Sequence, residues 1–367
     1  MTDRSRLDPE ATVSLDGLLQ ALPGGFNNIA DINARRATVA GIMATVEVPK
    51  DPNVEITEHI APGPAGEINV RVYSPKNVAA PRPALVYIHG GGMILGSIDG
   101  EQGNAQMMCD QLGMTIASVD YRKAPEDPHP AATLDCFAAA KWVFANATSL
   151  GIDVNKIGIY GGSAGGGLTI SVALKARDEG GPNFKFMVPI YPMIDHRNES
   201  HSSKLITDVG IWDRAGSIEA WSWYLGGQKP DQHSSPAIAT NLKGLPPAYI
   251  DVGEMDMFCD EDLDFVKRLG EADVRVEFHL WPGVYHGAEI FAPDAPISKN
   301  IVATRLAGIK RLLELISRYL RLSANEFLDR IAAFIPPPRK QRHRYFGALK
   351  PNSPLRALHP ALVRADF

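Results

Sequence analysis

Ser163 stands in Gly161-Gly162-Ser163-Ala164-Gly165, between a short apolar run (Ile157, Ile159, Tyr160) and the helix-favouring stretch Leu168 to Ala176. Strand, sharp glycine turn and helix is the pattern that presents a serine hydroxyl at the carboxyl edge of a sheet, in a strained backbone conformation that neighbouring glycines permit. Alone, the same letters fit a phosphate loop equally well, so the remaining groups decide. A nucleophilic serine needs a base, a group that orients the base, and donors for the developing oxyanion. Downstream, His286 lies in Gly283-Val284-Tyr285-His286-Gly287, and Asp256 follows the apolar run Tyr249 to Val252. Upstream, His89-Gly90-Gly91-Gly92 follows another apolar run, and its side-chain-free amides can approach a substrate carbonyl closely. On this reading Ser163 attacks, His286 takes its proton and Asp256 holds the imidazole tautomer. The amides of Gly91, Gly92 and Ala164 then form the oxyanion hole.

Other residues compete for these roles. Glu254, Asp260, Glu261 and Asp262 flank Asp256, and several read as solvated acids at a helix start, where they favour the helix dipole. His279 alternates within a strand and reads as structural, while His89, committed to the glycine run, reads as a support for that loop. His196 and His201 flank acidic residues at a spacing that matches no common metal site. Met93 and Ile94, directly after the glycine loop, are expected pocket contacts, as is Tyr191. Trp212, Trp221, Trp223 and Tyr224 are either core or, with Trp212 foremost, the lining of an acyl or alcohol pocket.

The elements that must position these groups alternate. Val54 to Glu58 and Ile68 to Tyr73 have the period of half-buried antiparallel strands, joined by the turn-rich Pro62 to Gly66. Ala84 to Ile88, Met114 to Val119, the strand before Ser163, Phe184 to Ile190, Pro247 to Val252 and Val274 to Trp281 follow as further strands. Helical stretches separate them (Glu101 to Leu112, Ala131 to Ala147, the segment after Ser163 to about Glu179, Asp260 to Leu269), and Ile297 to Leu322 closes the series. This rhythm predicts an α/β fold with a mostly parallel sheet of eight strands flanked by helices. Residues 1–45 carry helix-like pieces, Leu15 to Leu22 and Ile29 to Thr45, with no strand signal. Residues 195–225 interrupt the rhythm with a polar loop and a tryptophan-rich segment in which Asp213 can cap a helix. Residues 323–367 form a separate extension; from Pro336 it holds seven Lys or Arg against one acid, is proline-rich, and reads as flexible.

Of the 367 residues, 45% are hydrophobic and 22% charged, with formal net charge -5, which disfavours a nucleic-acid partner. The three cysteines, Cys109, Cys136 and Cys259, have neither disulfide nor zinc spacing and point to a reducing, cytoplasmic compartment. The polar start of the chain lacks an apolar signal core, and no run has transmembrane length.

Taken together, His89 to Gly92, Asp120-Tyr121-Arg122-Lys123-Ala124-Pro125-Glu126, Gly161 to Gly166 and the loops of Asp256 and His286 resemble the hormone-sensitive-lipase-like family of α/β-hydrolases over about residues 45–320. The resemblance implies a carboxylesterase with the chain order Ser, Asp, His and a helical cap built from residues 1–45 and 195–225 over a catalytic domain of residues 46–322. It implies short or medium acyl chains, no metal or organic cofactor, and a small-molecule ester as the partner, with a homodimer as an option. Two positions depart from the family pattern: Gly162, where an acid or threonine is usual, and Lys123, where leucine is common. The rival expectations are a hydrolase dedicated to one lactone, acetylated metabolite or amide, and a non-catalytic small-molecule receptor on the same fold.

Overall fold

In the computed structural model, which describes residues 2–44, 48–209 and 211–320, eight strands join in one sheet in the order β1-β2-β4-β3-β5-β6-β7-β8. They are β1 (Val54–Gly63), β2 (Gly66–Pro75), β3 (Arg82–Ile88), β4 (Thr115–Val119), β5 (Ile152–Gly162), β6 (Met187–Ile190), β7 (Ala248–Met255) and β8 (Val276–Tyr285). β1 and β2 pair antiparallel as a hairpin, β2 runs antiparallel to β4, and every pairing from β4 to β8 is parallel. β4 and β6 are buried along their whole lengths, as continuous apolar runs demand in a sheet covered on both faces. The parallel order puts the carboxyl ends of β3, β5, β7 and β8 at one edge, and Gly90, Ser163, Asp256 and His286 follow directly from them.

Helices α3 (Gln102–Leu112), α4 (Ala131–Ala145), α5 (Ala164–Glu179), α8 (Cys259–Glu271) and α10 (Pro296–Leu320) flank the sheet, and the short α9 (Ala288–Phe291) follows His286. The chain divides into two units, residues 1–313 and 314–367, and the tail expected to be flexible from about residue 323 lies outside the described residues.

The structure moves several expected boundaries. The first helix, α1 (Pro9–Ala21), starts six residues before Leu15, because the Asp8 carboxylate accepts from the Glu10 and Ala11 amides and Pro9 opens the helix. Asp-Pro before a helical run was the available signal. β6 begins at Met187 instead of Phe184, and β8 runs on through Pro282 and Gly283 to Tyr285, delivering His286 straight from the strand.

The remaining helices are α2 (Ile32–Ala44), α6 (His201–Leu205) and α7 (Arg214–Leu225). Asp213 caps α7 by accepting from the Gly216 amide and also accepts from Asn27, while Arg35 pairs with Glu219 and lies over Trp223. Thr2 bonds Asp208 and Leu205, so the start of the chain is tied to the 195–225 insertion. Trp221 and Tyr224 are core residues: Tyr224 bonds His129 and Thr133, and the two rings meet edge-on at 5.8 Å.

Candidate active site

Ser163 occupies φ 56°, ψ -121°, a left-handed-side conformation that a serine adopts only when its surroundings over-determine it. The surroundings are close backbones. A Cβ on Gly161 would lie 2.3 Å from Gly165 O, and one on Gly165 would lie 2.1 Å from Ile88 O, so both glycines are obligatory. Gly162 is different: a Cβ there would meet only the Tyr191 ring edge, at an ordinary 3.4 Å. Its glycine is therefore not required by backbone packing, and what lies beside it is the side chain of Tyr191.

The side chains form one hydrogen-bonded line. The Ser163 hydroxyl donates to His286 Nε2 at 2.9 Å, and His286 Nδ1 donates to Asp256 Oδ2 at 2.7 Å. Asp256 Oδ1 accepts from the Phe258 amide at 3.0 Å, which fixes the carboxylate plane. Tyr191 and Phe258 meet the imidazole edge-on, at 4.8 and 5.1 Å between centroids, and restrict its rotation. Such a line transfers the serine proton to Nε2 as the oxygen attacks, with the carboxylate stabilising the imidazolium.

The glycine loop packs against this serine. A Cβ on Gly90 would lie 3.0 Å from Gly162 O and 3.5 Å from Ser163 Cβ, and one on Gly92 would lie 2.2 Å from the Trp212 ring. The Gly91, Gly92 and Ala164 amides have no acceptor among the described residues, whereas the Ser163 amide is spent on Ile190 O. His89 stacks on Tyr121 at 4.2 Å and bonds Gly90 O through Nδ1. Burial pushes its imidazole down to about 3, with Lys123 adding to the effect, so His89 is neutral and donates from Nδ1. Lys123, one of the two departures from the family pattern, thus sits over the Tyr121 ring beside the glycine loop.

The competing residues separate cleanly. Glu254 accepts from Arg6 and from the Gly283 amide, and His279 bonds Glu277 and stacks on Trp281. Glu261 and Asp262, expected to be solvated, are instead buried. α8 presents them inward, where Glu261 accepts from the Ile194 and Asp195 amides and thereby anchors the insertion. Among the described residues no cluster of His, Cys, Asp or Glu is placed to hold a metal ion, and His196 bonds Ser235.

Asp262 has no hydrogen-bond partner for either oxygen among the described residues, and burial, followed by the charge of Glu261, pushes its carboxyl well above the usual range. The folded state then holds a proton that the unfolded chain releases at lower pH, so stability from this group falls as pH rises above the unfolded value. Asp262→Asn removes that dependence. Its melting temperature, compared with the parent, should gain more at pH 8 than at pH 5 in calorimetry; equal differences at both pH values would mean that Asp262 is not protonated in the fold.

Sequence reasoning missed a buried ionic group beside the imidazole. Arg305, from α10, holds both Asp251 oxygens at 3.1 Å and donates to Glu289 at 2.9 Å; Glu289 also accepts from the Tyr191 hydroxyl at 2.7 Å. Asp251 interrupts an apolar strand, and a charge in such a run is a usable signal of a buried pair. Burial raises Asp251 despite Arg305, while at Glu289 the guanidinium and the tyrosine outweigh burial and lower the carboxyl. Of the expected pocket contacts, Met93 (φ 61°) and Ile94 are buried immediately after the glycine loop, Trp212 covers Gly92, and Tyr191 packs on His286.

The model of a family described as having the alpha/beta hydrolase fold matches residues 85–290, more than half of the chain, a span that includes the glycine loop, Ser163, Asp256 and His286. The chain belongs to the hormone-sensitive-lipase-like family of α/β-hydrolases. Among its relatives, carboxylesterase NlhH of Mycobacterium tuberculosis is 34% identical over 85% of this chain and 99% of its own. Esterase LipI of the same organism is 34% identical over 72% of this chain and 84% of its own. Among solved structures of this hydrolase family, a bacterial heroin esterase superposes with a TM-score of 0.80 at 36% identity, covering 85% of this chain and 99% of that one. A second model, described as a putative transposase, matches residues 313–356, most of which lie outside the described residues.

Proposed function

We propose that this chain cleaves carboxylic esters of short to medium acyl chains through an acyl-enzyme intermediate on Ser163. Membership of the family and the esterases among its relatives make it a carboxylic ester hydrolase. The observation that carries the mechanism is the unbroken line from Asp256 through His286 to Ser163. Ser163 Oγ attacks the carbonyl carbon as its proton passes to His286 Nε2. The oxyanion is received by the Gly91, Gly92 and Ala164 amides, and His286 then protonates the departing alcohol. Water, activated by the same imidazole, attacks the acyl carbonyl and frees the acid. No step calls for a metal or organic cofactor.

In this reading residues 1–45 and 195–225 cap a catalytic domain of residues 46–322, with residues 323–367 as an extension. Met93, Ile94, Trp212 and Tyr191 line the acyl and alcohol pockets, and His89 supports the glycine loop. Three buried, unpaired cysteines suit a cytoplasmic protein. No helix of the described residues is long and apolar enough to cross a membrane. The partner is a small ester, without nucleic acid, and a homodimer is compatible with the fold.

A panel of p-nitrophenyl esters together with a fluorophosphonate tests the proposal. Turnover is expected to be highest with short and medium acyl chains, and mass spectrometry should find one labelled residue, Ser163. Labelling elsewhere overturns the mechanism, and activity confined to one lactone, acetylated metabolite or amide overturns the breadth. A protein that binds esters without turning them over would be a receptor, which the intact Ser163–His286–Asp256 line does not fit.

A further inference from the structure

The glycine loop is a strained turn, and five of its carbonyls, those of His89, Gly90, Gly91, Met93 and Ile94, are individually tied. Gly91 O accepts from the Ile94 and Leu95 amides, which closes the turn, and Met93 sits inside it at φ 61°, a region unfavourable to a side chain. His89 O accepts from the Tyr121 hydroxyl at 3.0 Å, and Met93 O accepts from the Ala124 amide at 3.0 Å. The Asp120–Glu126 segment thus braces the turn from the catalytic domain. Ile94 O is taken by a residue from far upstream: Arg36, on α2, donates from Nε to Ile94 O at 2.8 Å. The same guanidinium donates from Nη2 to Ala124 O at 2.7 Å and forms a two-bond fork with Glu126, both at 2.8 Å.

We propose that Arg36 is a positioning residue for the oxyanion hole: it staples the glycine turn to the Asp120–Glu126 segment, so that docking of the N-terminal helix α2 sets where the Gly91 and Gly92 amides point. The inference rests on the oxyanion reading given above. The arginine touches no reacting atom; it acts through Ile94 O, two residues beyond Gly92. Its pairing with Glu126 is not the staple, because the Glu126 side chain is 52% exposed to screening solvent and belongs to the same segment as Ala124. What matters is the planar guanidinium, whose Nε–Nη2 edge reaches two carbonyls from two different segments at once. A lysine ammonium on a flexible stem cannot hold that geometry. Small displacements of groups that position a reacting centre cost on the order of a hundredfold in rate.

The test compares wild type, Arg36→Ala, Arg36→Lys and Ser163→Ala on a p-nitrophenyl ester and on its thiono analogue, in which sulfur replaces the carbonyl oxygen and accepts hydrogen bonds poorly. Arg36→Ala is expected to lose on the order of a hundredfold in kcat with KM changed less than about threefold, and Arg36→Lys to fall between it and wild type. Wild type should prefer the oxygen ester strongly, and Arg36→Ala should lose most of that preference, because misplaced amides no longer distinguish oxygen from sulfur. Damage to folding alone would slow both substrates equally and leave the ratio intact. An unchanged ratio in a folded Arg36 variant overturns this inference while leaving the oxyanion hole standing. Absence of the preference in wild type removes the oxyanion reading itself, and activity in Ser163→Ala removes the nucleophile. If Arg36→Ala melts too low to assay, Arg36→Lys carries the same comparison.

Discussion

Ser163→Ala and His286→Ala are each expected to reduce kcat on a p-nitrophenyl ester by up to about a millionfold, and the double variant to be no slower than either. The reason lies in the geometry. At 2.9 Å the serine oxygen and Nε2 share one proton, and that proton must leave as the C–O bond forms, so either side chain without the other supplies almost nothing. Asp256→Asn is expected to cost about ten-thousandfold, since an amide at 2.7 Å from Nδ1 can present its NH2 and stabilise the tautomer with Nε2 protonated, which cannot accept from Ser163. The residual rate of the double variant measures what binding and the glycine-loop amides contribute alone. Multiplicative losses in the double variant, measured by kinetics normalised to folded protein, would show that the two residues act independently and that the line is not a catalytic unit.

Arg305→Met should destabilise the protein by about 3 to 5 kcal/mol, because it strands two buried carboxylates, Asp251 and Glu289, that share this guanidinium. The pH dependence discriminates this cause from lost packing. In wild type Glu289 lies below its ordinary range and stabilises the fold above that range, an effect lost as pH falls through its folded value. Without Arg305 both carboxylates shift upward, the folded state binds protons the unfolded chain has released, and stability falls with rising pH. Urea midpoints for Arg305→Met should therefore trail wild type more at pH 8 than at pH 5. A deficit independent of pH would assign the loss to packing. Replacing all three charges together, with Asp251→Leu, Glu289→Leu and Arg305→Met, should cost less than the single change, as buried ion groups exchanged for apolar volume often do. Because Glu289 also holds the Tyr191 hydroxyl and the Tyr191 ring packs on His286, the single variant should label more slowly with fluorophosphonate.

Ser163, His286, Asp256 and the glycine loop stand out in the letters because each is marked by its neighbours along the chain. Gly161 is required within the turn that carries Ser163, by Gly165 O, whereas Gly165 admits the close approach of Ile88 O from the neighbouring strand. A histidine and an aspartate directly after apolar runs reach the same sheet edge whenever parallel pairing holds. Continuous and alternating apolar runs likewise specified eight strands and their mostly parallel arrangement, and Asp213 specified its own helix cap. The fold class and the chain order of the site follow from such short-range rules.

The tertiary structure decided everything that depends on which distant segment fills a space. Glu261 and Asp262 read as solvated acids because a helix start favours acids wherever it lies; only the packing of α8 against the 195–225 insertion turned them inward. Nothing adjacent to Arg36 announces that its fork meets Ile94 and Ala124, and nothing adjacent to Arg305 announces Asp251 and Glu289. Gly162 shows the difference in one residue. Its letter is unexplained by the turn it belongs to, and the side chain beside it, Tyr191, comes from the end of a neighbouring strand. Local backbone geometry is written in a few consecutive residues, whereas the partner of a buried charge is chosen by the meeting of chain segments tens to hundreds of positions apart.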